Sequence, residues 1–549
     1  MGPEVNTHSI KALEKQIEKG TGDTIKLKRA RNSLLNISAR VPPEILGYIF
    51  VWSLVWETYG QPFFQHFAGL RKDSYNFLLV CHHWSEVASR TPELWSFWGN
   101  TLQDWEKRHR RSGAGTPLDL VLDGGRCYPP TPFDQTLQDA VRGRVMQDTI
   151  REVHLASGDS DTLASIVSAL TPGNGSAQNG NIGSIVWQNT GFPPVDVSNF
   201  FARSRLSKLR RLYLSGSFQI SSWDHIASRT TLLTTLSLHV SDFPQTPILS
   251  TSQLFSILIS NPNLRRLELS NLSLPDDSDG STFQVPLHNL KMLSLRGEFR
   301  DLLGLLRQLI LPEALDCMHL SGADSAVEGI SQVLGPYIRT YFRRGPKFQG
   351  RLEVEFSYFP GSISITVDTV TASAQNPPSP AFTMVLTDLP PPGELEQLFA
   401  DLITLIPKEY VVSFNADPGT ELPEELLSMM PNIETLYLYG VELSKGFLQP
   451  NLDGPRANTK LLPSLRSLFL TDITLDDNDW SHLTTYLTHQ TSDNQIISLE
   501  VISRGPHMPP EVENEIKGLV KELIHYEYGG VECGGSPSSC GRSTHDEDE

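Results

Sequence analysis

The feature that most limits the possible folds of this chain is a recurring apolar pattern, Φ-x-x-Φ-x-Φ, in which Φ is a large apolar residue. Three longer copies, Φ-x-x-Φ-x-Φ-x-x-Φ-x-Φ, begin at Leu264, Ile433 and Leu465. Shorter copies begin at Ile150, Ile182, Leu209, Leu233, Leu290, Leu315 and Ile496. Between residues 150 and 315, successive copies begin 24 to 32 residues apart. A period in this range is typical of solenoid proteins, whose repeats pack on their neighbours.

Amphipathic helical stretches lie between many of the predicted strands, for example at residues 252–260 and 426–430. A strand, a loop and a helix at this period resemble a leucine-rich-repeat array. The resemblance implies a solenoid with a parallel concave sheet. The ninth position of that family usually carries Asn or Cys, whereas Leu272, Val441 and Ile473 stand there in the three long copies. An ordinary α/β domain of buried strands is the alternative, but it would hardly explain ten related copies.

The alternation of side chains along a strand predicts which residues lie on the open face of the sheet. Exposed aromatic and arginine side chains dominate protein–protein binding energy. The predicted target-binding residues on this face are Arg211, Tyr213, Arg266, Arg296, Tyr437, Tyr439 and Phe469. Because strands lie ~4.8 Å apart, the last three are expected to form one aromatic patch. A phosphorylated target is expected at the three arginines instead. For any single residue, the alternative is that it only covers the sheet.

Residues 337–415 interrupt the repeat. Alternating apolar residues predict longer strands there, at 352–356, 363–367, 382–386 and 411–414. A Pro- and Ser-rich loop is predicted at 373–380. We interpret this region as repeats that are elaborated by a hairpin.

A helical pattern occupies the segment between Ile37 and Trp98. The first predicted helix opens at Pro42-Pro43, because the missing amide protons of proline have no intrahelical partner at a helix start. Its apolar residues have helical spacing and are Val41, Ile45, Leu46, Ile49 and Phe50. A second helix is predicted to carry Leu79, Val80, Trp84 and Val87. So few helices cannot bury all these side chains, so we expect a partner to cover some of them.

Three motifs occur in this segment in a fixed order. Residues 41–46 read Val-Pro-Pro-Glu-Ile-Leu, residues 80–84 read Val-Cys-His-His-Trp, and residues 94–95 read Leu-Trp. They resemble the F-box, the helical module that binds the Skp-type adaptor of a cullin-RING ubiquitin ligase. Residues 31–38 resemble the lead-in of F-box-like proteins from mushroom-forming fungi. The resemblance implies an adaptor-binding face made of Val41, Pro42, Ile45, Leu46, Ile49, Val80 and Trp84.

The match to the F-box has two departures. Val41 replaces the usual Leu, and residues 54–76 are longer than the usual link. The alternative is an ordinary helical subdomain that packs on the rest of the protein.

The composition indicates which class of ligand and which cellular compartment to expect. The net charge of -18 and the pI near 5.3 argue against nucleic acid as the main ligand, because phosphate binding needs a basic surface. The cysteines are too few and scattered for a disulfide framework, which fits a reducing compartment. The longest apolar run, at residues 45–56, is too short to cross a membrane. We therefore expect a soluble protein of the cytoplasm or nucleus.

Motifs for catalysis or metal binding are weak throughout the sequence. The Gly-rich stretch that begins at Gly173 lacks the Lys-Ser/Thr pair of a phosphate loop. The acidic runs at 276–279 and 476–479 lack the spacing of a calcium loop, and Cys81 with His82-His83 matches the F-box motif, where the cysteine packs. We therefore expect no catalytic residues, no cofactor and no metal.

The patterns together predict an α/β protein with four segments. They are a basic amphipathic helical segment at 1–36, an F-box-like module at 37–112, an irregular leucine-rich-repeat-like array at 113–528, and a disordered acidic tail at 529–549. The resemblances imply a non-enzymatic substrate receptor that binds an adaptor and a target protein. The alternative is a repeat scaffold whose F-box-like helices only cap the solenoid. A hydrolase or transferase is disfavoured by the lack of motifs.

Overall fold

Strands and short helices alternate between residues 150 and 310 in the computed structural model. The structure describes residues 7–18, 26–28, 41–56, 76–98, 108, 111–112, 116–123, 138–139, 141–142, 149–172, 181–240, 249–271, 284–312, 315–323, 334–339, 351–359, 362–369, 382–387, 404–416, 427, 429–439, 462–473, 475–490, 496–503 and 508–527. Several sequence predictions lie outside the described residues. They concern the lead-in at 31–38, most of the link at 54–76, the stretch that begins at Gly173, the acidic run at 276–279, the loop at 373–380, the tail at 529–549, and Leu272 and Val441.

The chain divides into two compact units, Met1–Asp279 and Gly280–Glu549. Helices of the first unit are α1 (Thr7–Glu18), α2 (Pro43–Trp56), α3 (His82–Arg90), α4 (Ser160–Leu170), α5 (Ser198–Arg203), α6 (Asp224–Arg229) and α7 (Thr251–Ser260). Helices of the second unit are α8 (Phe299–Gln308), α9 (Asp477–Gln490) and α10 (Pro510–Leu519). Short 3-10 helices span Pro92–Trp95 and Lys408–Tyr410. Within the described ranges, every helix is too short or too polar to cross a membrane.

The sheet of the first unit is parallel, and its strands follow one another in chain order. The strands are β1 (Phe97–Trp98), β2 (Leu118–Asp123), β3 (Ile150–Ser157), β4 (Ser184–Asn189), β5 (Val195–Asp196), β6 (Arg211–Gly216), β7 (Phe218–Gln219), β8 (Thr235–Val240) and β9 (Arg266–Ser270). Seven of them pair in the order β1, β2, β3, β4, β6, β8, β9. The short strands β5 and β7 form a separate parallel pair.

The second unit has a mostly parallel sheet with an antiparallel insertion. Its strands are β10 (Val285–Pro286), β11 (Met292–Glu298), β12 (Leu309–Ile310), β13 (Cys317–Ala323), β14 (Leu352–Phe359), β15 (Ser362–Thr369), β16 (Phe382–Thr387), β17 (Val411–Ala416), β18 (Thr435–Tyr439), β19 (Ser467–Ile473), β20 (Ser498–Ser503) and β21 (Glu522–Glu527). The order is β11, β13, β16, β15, β14, β17, β18, β19, β20, β21, and β10 pairs with β12.

Strand β15 is antiparallel to both of its neighbours, β14 and β16. These two reversals leave β14 and β16 running in the same direction. Strand β14 pairs in parallel with β17, and β16 pairs in parallel with β13. The structure thus has strands at all four segments predicted between residues 337 and 415.

All ten copies of the apolar pattern form strands in the structure, as predicted. In nine of them the strand begins two residues after the first apolar residue, and the other begins at Ile150 itself. The two later apolar residues then point inward, and Leu236 and Leu238 of β8, for example, are buried. The structure therefore confirms a mixed α/β fold with mostly parallel strands.

Helix α7 shows how the sequence sets a helix boundary. Ser250 Oγ accepts a hydrogen bond from the Gln253 amide, and Gln253 Oε1 accepts one from the Ser250 amide. This capping box satisfies two amides at the helix start. The apolar face of the helix, with Leu254, Ile257 and Leu258, is buried. Along the first unit, α4 contacts α5, α5 contacts α6, and α6 contacts α7.

Two buried asparagines join successive strand–helix segments of the first unit. Asn189 donates to the Ser217 carbonyl at 2.6 Å and accepts from the Gly191 amide at 3.0 Å. Asn261 accepts from the Leu233 amide at 2.9 Å and donates to the Ile257 carbonyl at 2.8 Å. Because a buried amide without a partner is unfavourable, these side chains help to hold the connecting turns in place.

Candidate functional site

The helices that carry the F-box-like motifs share a small apolar core. Its buried members are Leu46, Phe50, Val87, Ala88, Leu94 and Trp95. Phe77 stacks on Phe50 with ring centroids 4.4 Å apart, and Trp84 lies 4.8 Å from Phe50. The indole N–H of Trp95 donates to the Ala88 carbonyl at 2.7 Å, so this buried polar group is satisfied. These contacts hold the helical segments together as one module.

The prediction of a single helix from Leu79 to Val87 is wrong, because the backbone is interrupted at Cys81. Cys81 has an extended conformation (φ -161°, ψ 169°) and separates helical residues 76–80 from α3. Its Sγ accepts a hydrogen bond from the Trp84 amide at 3.5 Å. Cys81 thus acts as the N-cap of α3, which satisfies an amide that has no partner within the helix.

Large apolar side chains lie on the outer surface of this module. Among the predicted adaptor-binding residues, Ile45, Ile49 and Val80 are 50%, 50% and 55% exposed. Tyr48 and Leu79, which the motif comparison did not single out, are 66% and 81% exposed. Scattered exposed apolar residues are ordinary, but five large ones on two short segments make this module a candidate interaction surface.

The other predicted adaptor-binding residues occupy different positions. Pro42 is exposed, and its carbonyl accepts from the Leu46 amide at 2.9 Å. Leu46 is only 2% exposed and belongs to the core. Val41 and Trp84 are partly buried against the same core. These last three residues therefore stabilise the module, and Leu46 in particular offers almost no surface to a partner.

The second candidate surface lies on the sheet of the second unit, around Tyr437. Tyr437 on β18 and Phe469 on β19 are register partners, and their rings stack with centroids 4.3 Å apart and planes 13° apart. Tyr437 and Tyr439 are 37% and 42% exposed. The predicted aromatic residues therefore share one face of the sheet, with the half-buried Phe469 stacked on Tyr437 and with Tyr439 two residues along the same strand.

Tyr526 on β21 extends the aromatic surface, and the sequence pattern missed it. It is 57% exposed and lies in the same row of the sheet as Tyr439, beyond Thr471 and Ile502. The pattern is present at Val520 and at Leu523, but His525 occupies the place of its third apolar residue. A search that tolerated one polar replacement would have found this strand.

Of the three predicted arginines, Arg266 is paired with a carboxylate, and Arg211 is exposed. Arg211, Thr235 and Arg266 are register partners on β6, β8 and β9. Arg266 donates two hydrogen bonds to Glu268 Oε1, at 2.9 and 2.6 Å. Its charge is thus already balanced within the sheet, which leaves less of it for a phosphate. Arg296 is exposed on β11 of the second unit.

Glu268 is the centre of a polar network on β8 and β9. It accepts a hydrogen bond from Ser237 Oγ at 2.7 Å, and His239 Nε2 lies 3.8 Å from it. Burial would raise the pKa of Glu268, but the neighbouring His239, the Ser237 hydrogen bond and the Arg266 charge lower it to about 2. The Tyr213 ring, half-buried, lies 5.3 Å from the His239 ring. Glu268 is therefore ionised at neutral pH and holds these side chains in place.

A second polar group on β2 and β3 is more deeply buried. His154 is buried although strand alternation puts it on the same face as Glu152, and its Nε2 lies 2.9 Å from Glu152 Oε2. Asp119 accepts two hydrogen bonds from Arg151, at 3.0 and 2.6 Å. Burial raises the pKa of Asp119 to about 6 in spite of this partner.

Within the described part of the chain, no group of three or more His, Cys, Asp and Glu residues could hold a metal ion. Cys81 and Cys317, the cysteines that the structure describes, are not joined in a disulfide. No known family model matches the chain, and no curated protein matches it.

Proposed function

We propose that the chain is a substrate-receptor subunit of a Skp-cullin-F-box type ubiquitin ligase. In this proposal, residues 37–112 form an F-box-like module that binds the Skp-type adaptor. The strands and helices that follow form a leucine-rich-repeat-like solenoid whose concave sheet binds a target protein. The observation that supports the proposal most is the exposed apolar surface of Ile45, Tyr48, Ile49, Leu79 and Val80 beside a separate closed core.

The chain itself would carry out no chemical step. It would hold the target close to the ubiquitin-loaded enzyme of the ligase, so that a target lysine and the thioester react as if they belonged to one molecule. Aromatic residues on the sheet of the second unit support a protein as the target, since exposed aromatic side chains are typical anchors of protein interfaces.

The adaptor proposal is tested by a pull-down with a purified Skp-type adaptor. We expect Ile45→Asp and Val80→Asp each to abolish binding, because a carboxylate buried in an apolar interface is strongly unfavourable. Both side chains are exposed in the free chain, so the variants should fold. Ile259→Asp is the matched control, because Ile259 lies on α7 and is also 50% exposed. Wild-type binding by folded Ile45→Asp and Val80→Asp would contradict the adaptor role.

A scaffold in which the helical module only caps the sheet is a second candidate. The observation that favours it is the continuation of the module into β1, which pairs in parallel with β2. In addition, the Asp119 amide donates to the Ser96 carbonyl at 2.9 Å. The scaffold predicts that the folded wild-type chain binds neither adaptor nor cullin. The receptor predicts that both co-purify with it.

A further inference from the structure

Tyr437 and Phe469 belong to a row of register partners that crosses the sheet of the second unit from strand to strand. Carboxylates lie on both sides of the pair in this row. Phe469 is the register partner of Glu500 on β20. On the other side, Tyr437 is the partner of Asn415, and Asn415 is the partner of Glu355 on β14. Because the rings stack across neighbouring strands, their outer faces are directed towards Asn415 and Glu500. Each outer ring face therefore has a carboxylate one or two strands away, within ~10 Å.

The next row of the same face is also acidic. Glu353 on β14 is the partner of Asp368 on β15, and Glu522 lies at the β21 end of the row. Like charges directly opposite each other destabilise a sheet. Burial, and then the charges of Asp368 and Glu355, raise the pKa of Glu353. This arrangement opposes stability of the isolated sheet, and a cation placed on it would relieve the repulsion.

Cations are missing from this face over the described strands β14 to β21. The residues that share the face with Tyr437 are Glu353, Glu355, Ser357, Ser362, Ser364, Thr366, Asp368, Thr383, Val385, Thr387, Ser413, Asn415, Thr435, Tyr439, Ser467, Phe469, Thr471, Ser498, Glu500, Ile502, Glu522, Ile524 and Tyr526. Arg351, which precedes β14, forms an ion pair with Glu434 at 2.7 Å. Burial, and then the charges of Glu353 and Glu500, raise the pKa of Tyr437, so the negative field reaches the ring.

We propose that this face binds an arginine- or lysine-containing segment of a partner protein, an inference that rests on the receptor function proposed above. A guanidinium or ammonium group would lie against the outer face of Tyr437 or Phe469, where the ring attracts a cation. The carboxylates of Glu353 and Glu500 would balance its charge and attract the segment from solution. The stacked rings would supply the apolar contact area of the interface.

The test uses the full chain and three short fluorescein-labelled peptides in fluorescence anisotropy. The first peptide alternates arginine with glycine and serine, the second replaces each arginine by neutral citrulline, and the third replaces each by glutamate. We expect the arginine peptide to bind at least about tenfold more tightly than the other two. The variants Tyr437→Ala/Phe469→Ala and Glu353→Gln/Glu500→Gln should each weaken the arginine peptide by about tenfold or more.

Matched controls separate the face from general charge and general aromatic content. Glu511→Gln/Glu515→Gln removes two exposed charges from α10, and Tyr410→Ala removes an exposed ring outside the sheet face. Both controls should bind like the wild type. The proposal is overturned if the arginine peptide does not bind, if citrulline binds equally well, or if the controls lose as much affinity as the face variants.

The adaptor pull-down distinguishes failure of this inference from failure of the receptor function. A chain that binds the adaptor but not the arginine peptide remains a receptor, and only the assignment of a basic segment fails. A chain that binds the arginine peptide through Tyr437 and Glu353 but never the adaptor retains the basic-segment site and loses the ligase role.

Discussion

Gly47 of α2 lies directly against the side chain of Thr91, so that a Cβ atom at Gly47 would be 2.7 Å from Thr91 Oγ1. The Thr91 hydroxyl is held in place because it donates to the Val87 carbonyl at 2.8 Å. Glycine therefore allows α2 to approach the end of α3 closely. This approach closes the core of the module beneath Leu46 and Phe50.

Replacement of Gly47 by alanine should destabilise the helical module. The clash with Thr91 is an overpacking defect of about 1–3 kcal/mol, and the better helix propensity of alanine, about 1 kcal/mol, offsets only part of it. Hydrogen exchange of peptides that cover α2 and α3 should become faster. In a Thr91→Ala background the same change should slow exchange, because only the propensity gain remains. An equal effect in both backgrounds would contradict this packing.

Replacement of Gly216 by alanine should destabilise the protein, whereas the same replacement of Gly304 should be tolerated. Gly216 has a φ of 98°, and a Cβ atom there would lie 1.7 Å from the Asn189 carbonyl oxygen. We expect Gly216→Ala to reduce the stability of β4 and β6 by more than about 3 kcal/mol. Gly304→Ala is the control, since nothing lies within 4 Å and α8 should gain up to about 1 kcal/mol. Hydrogen exchange of the two regions measures both effects, and similar changes would argue against the close approach at Gly216.

Replacement of Asn261 by alanine should destabilise the protein more than the same replacement of Asn263, although the two residues are close together in one turn. Asn261 is buried and accepts from the Leu233 amide, whereas Asn263 is exposed. Asn261→Ala would leave a buried amide without its acceptor, so a loss of about 1–3 kcal/mol is expected. Asn263→Ala should cost less, because groups at an exposed position can bond to water instead. Thermal unfolding of the two variants measures this, and equal melting temperatures would contradict a bridging role for Asn261.

Glu268 should make the stability of β8 and β9 dependent on acid pH. Its pKa is lowered from 4.5 to about 2 in the folded chain, so the folded state favours the ionised form. The contribution is complete above about pH 4.5 and is lost as the pH falls towards 2, with a total on the order of 3 kcal/mol. Hydrogen exchange of β8 and β9 at pH 3 and pH 6 should show a larger difference for the wild type than for Glu268→Gln. If the variant responds to pH as the wild type does, Glu268 is not the group responsible.

The positions of most strands were predictable from the sequence, because the alternation of apolar residues is a local property. Leu236 and Leu238 are buried as the pattern requires. Strand β21 was missed where His525 replaces an apolar residue. The helical break at Cys81 was also missed, since the apolar spacing continues across it and only the bond from the Trp84 amide to the thiol marks the new helix start.

Only the tertiary structure decided which of the residues in these patterns are buried and which remain exposed. Ile45 and Leu46 are consecutive apolar residues, and the packing of α2 on the rest of the module buries only Leu46. His154 occupies a face position of its strand, yet its side chain is buried, with Nε2 beside Glu152 Oε2. The periodicity of a sequence determines which residues share a face. Whether that face is covered depends on contacts between segments far apart in the chain, which no local pattern contains.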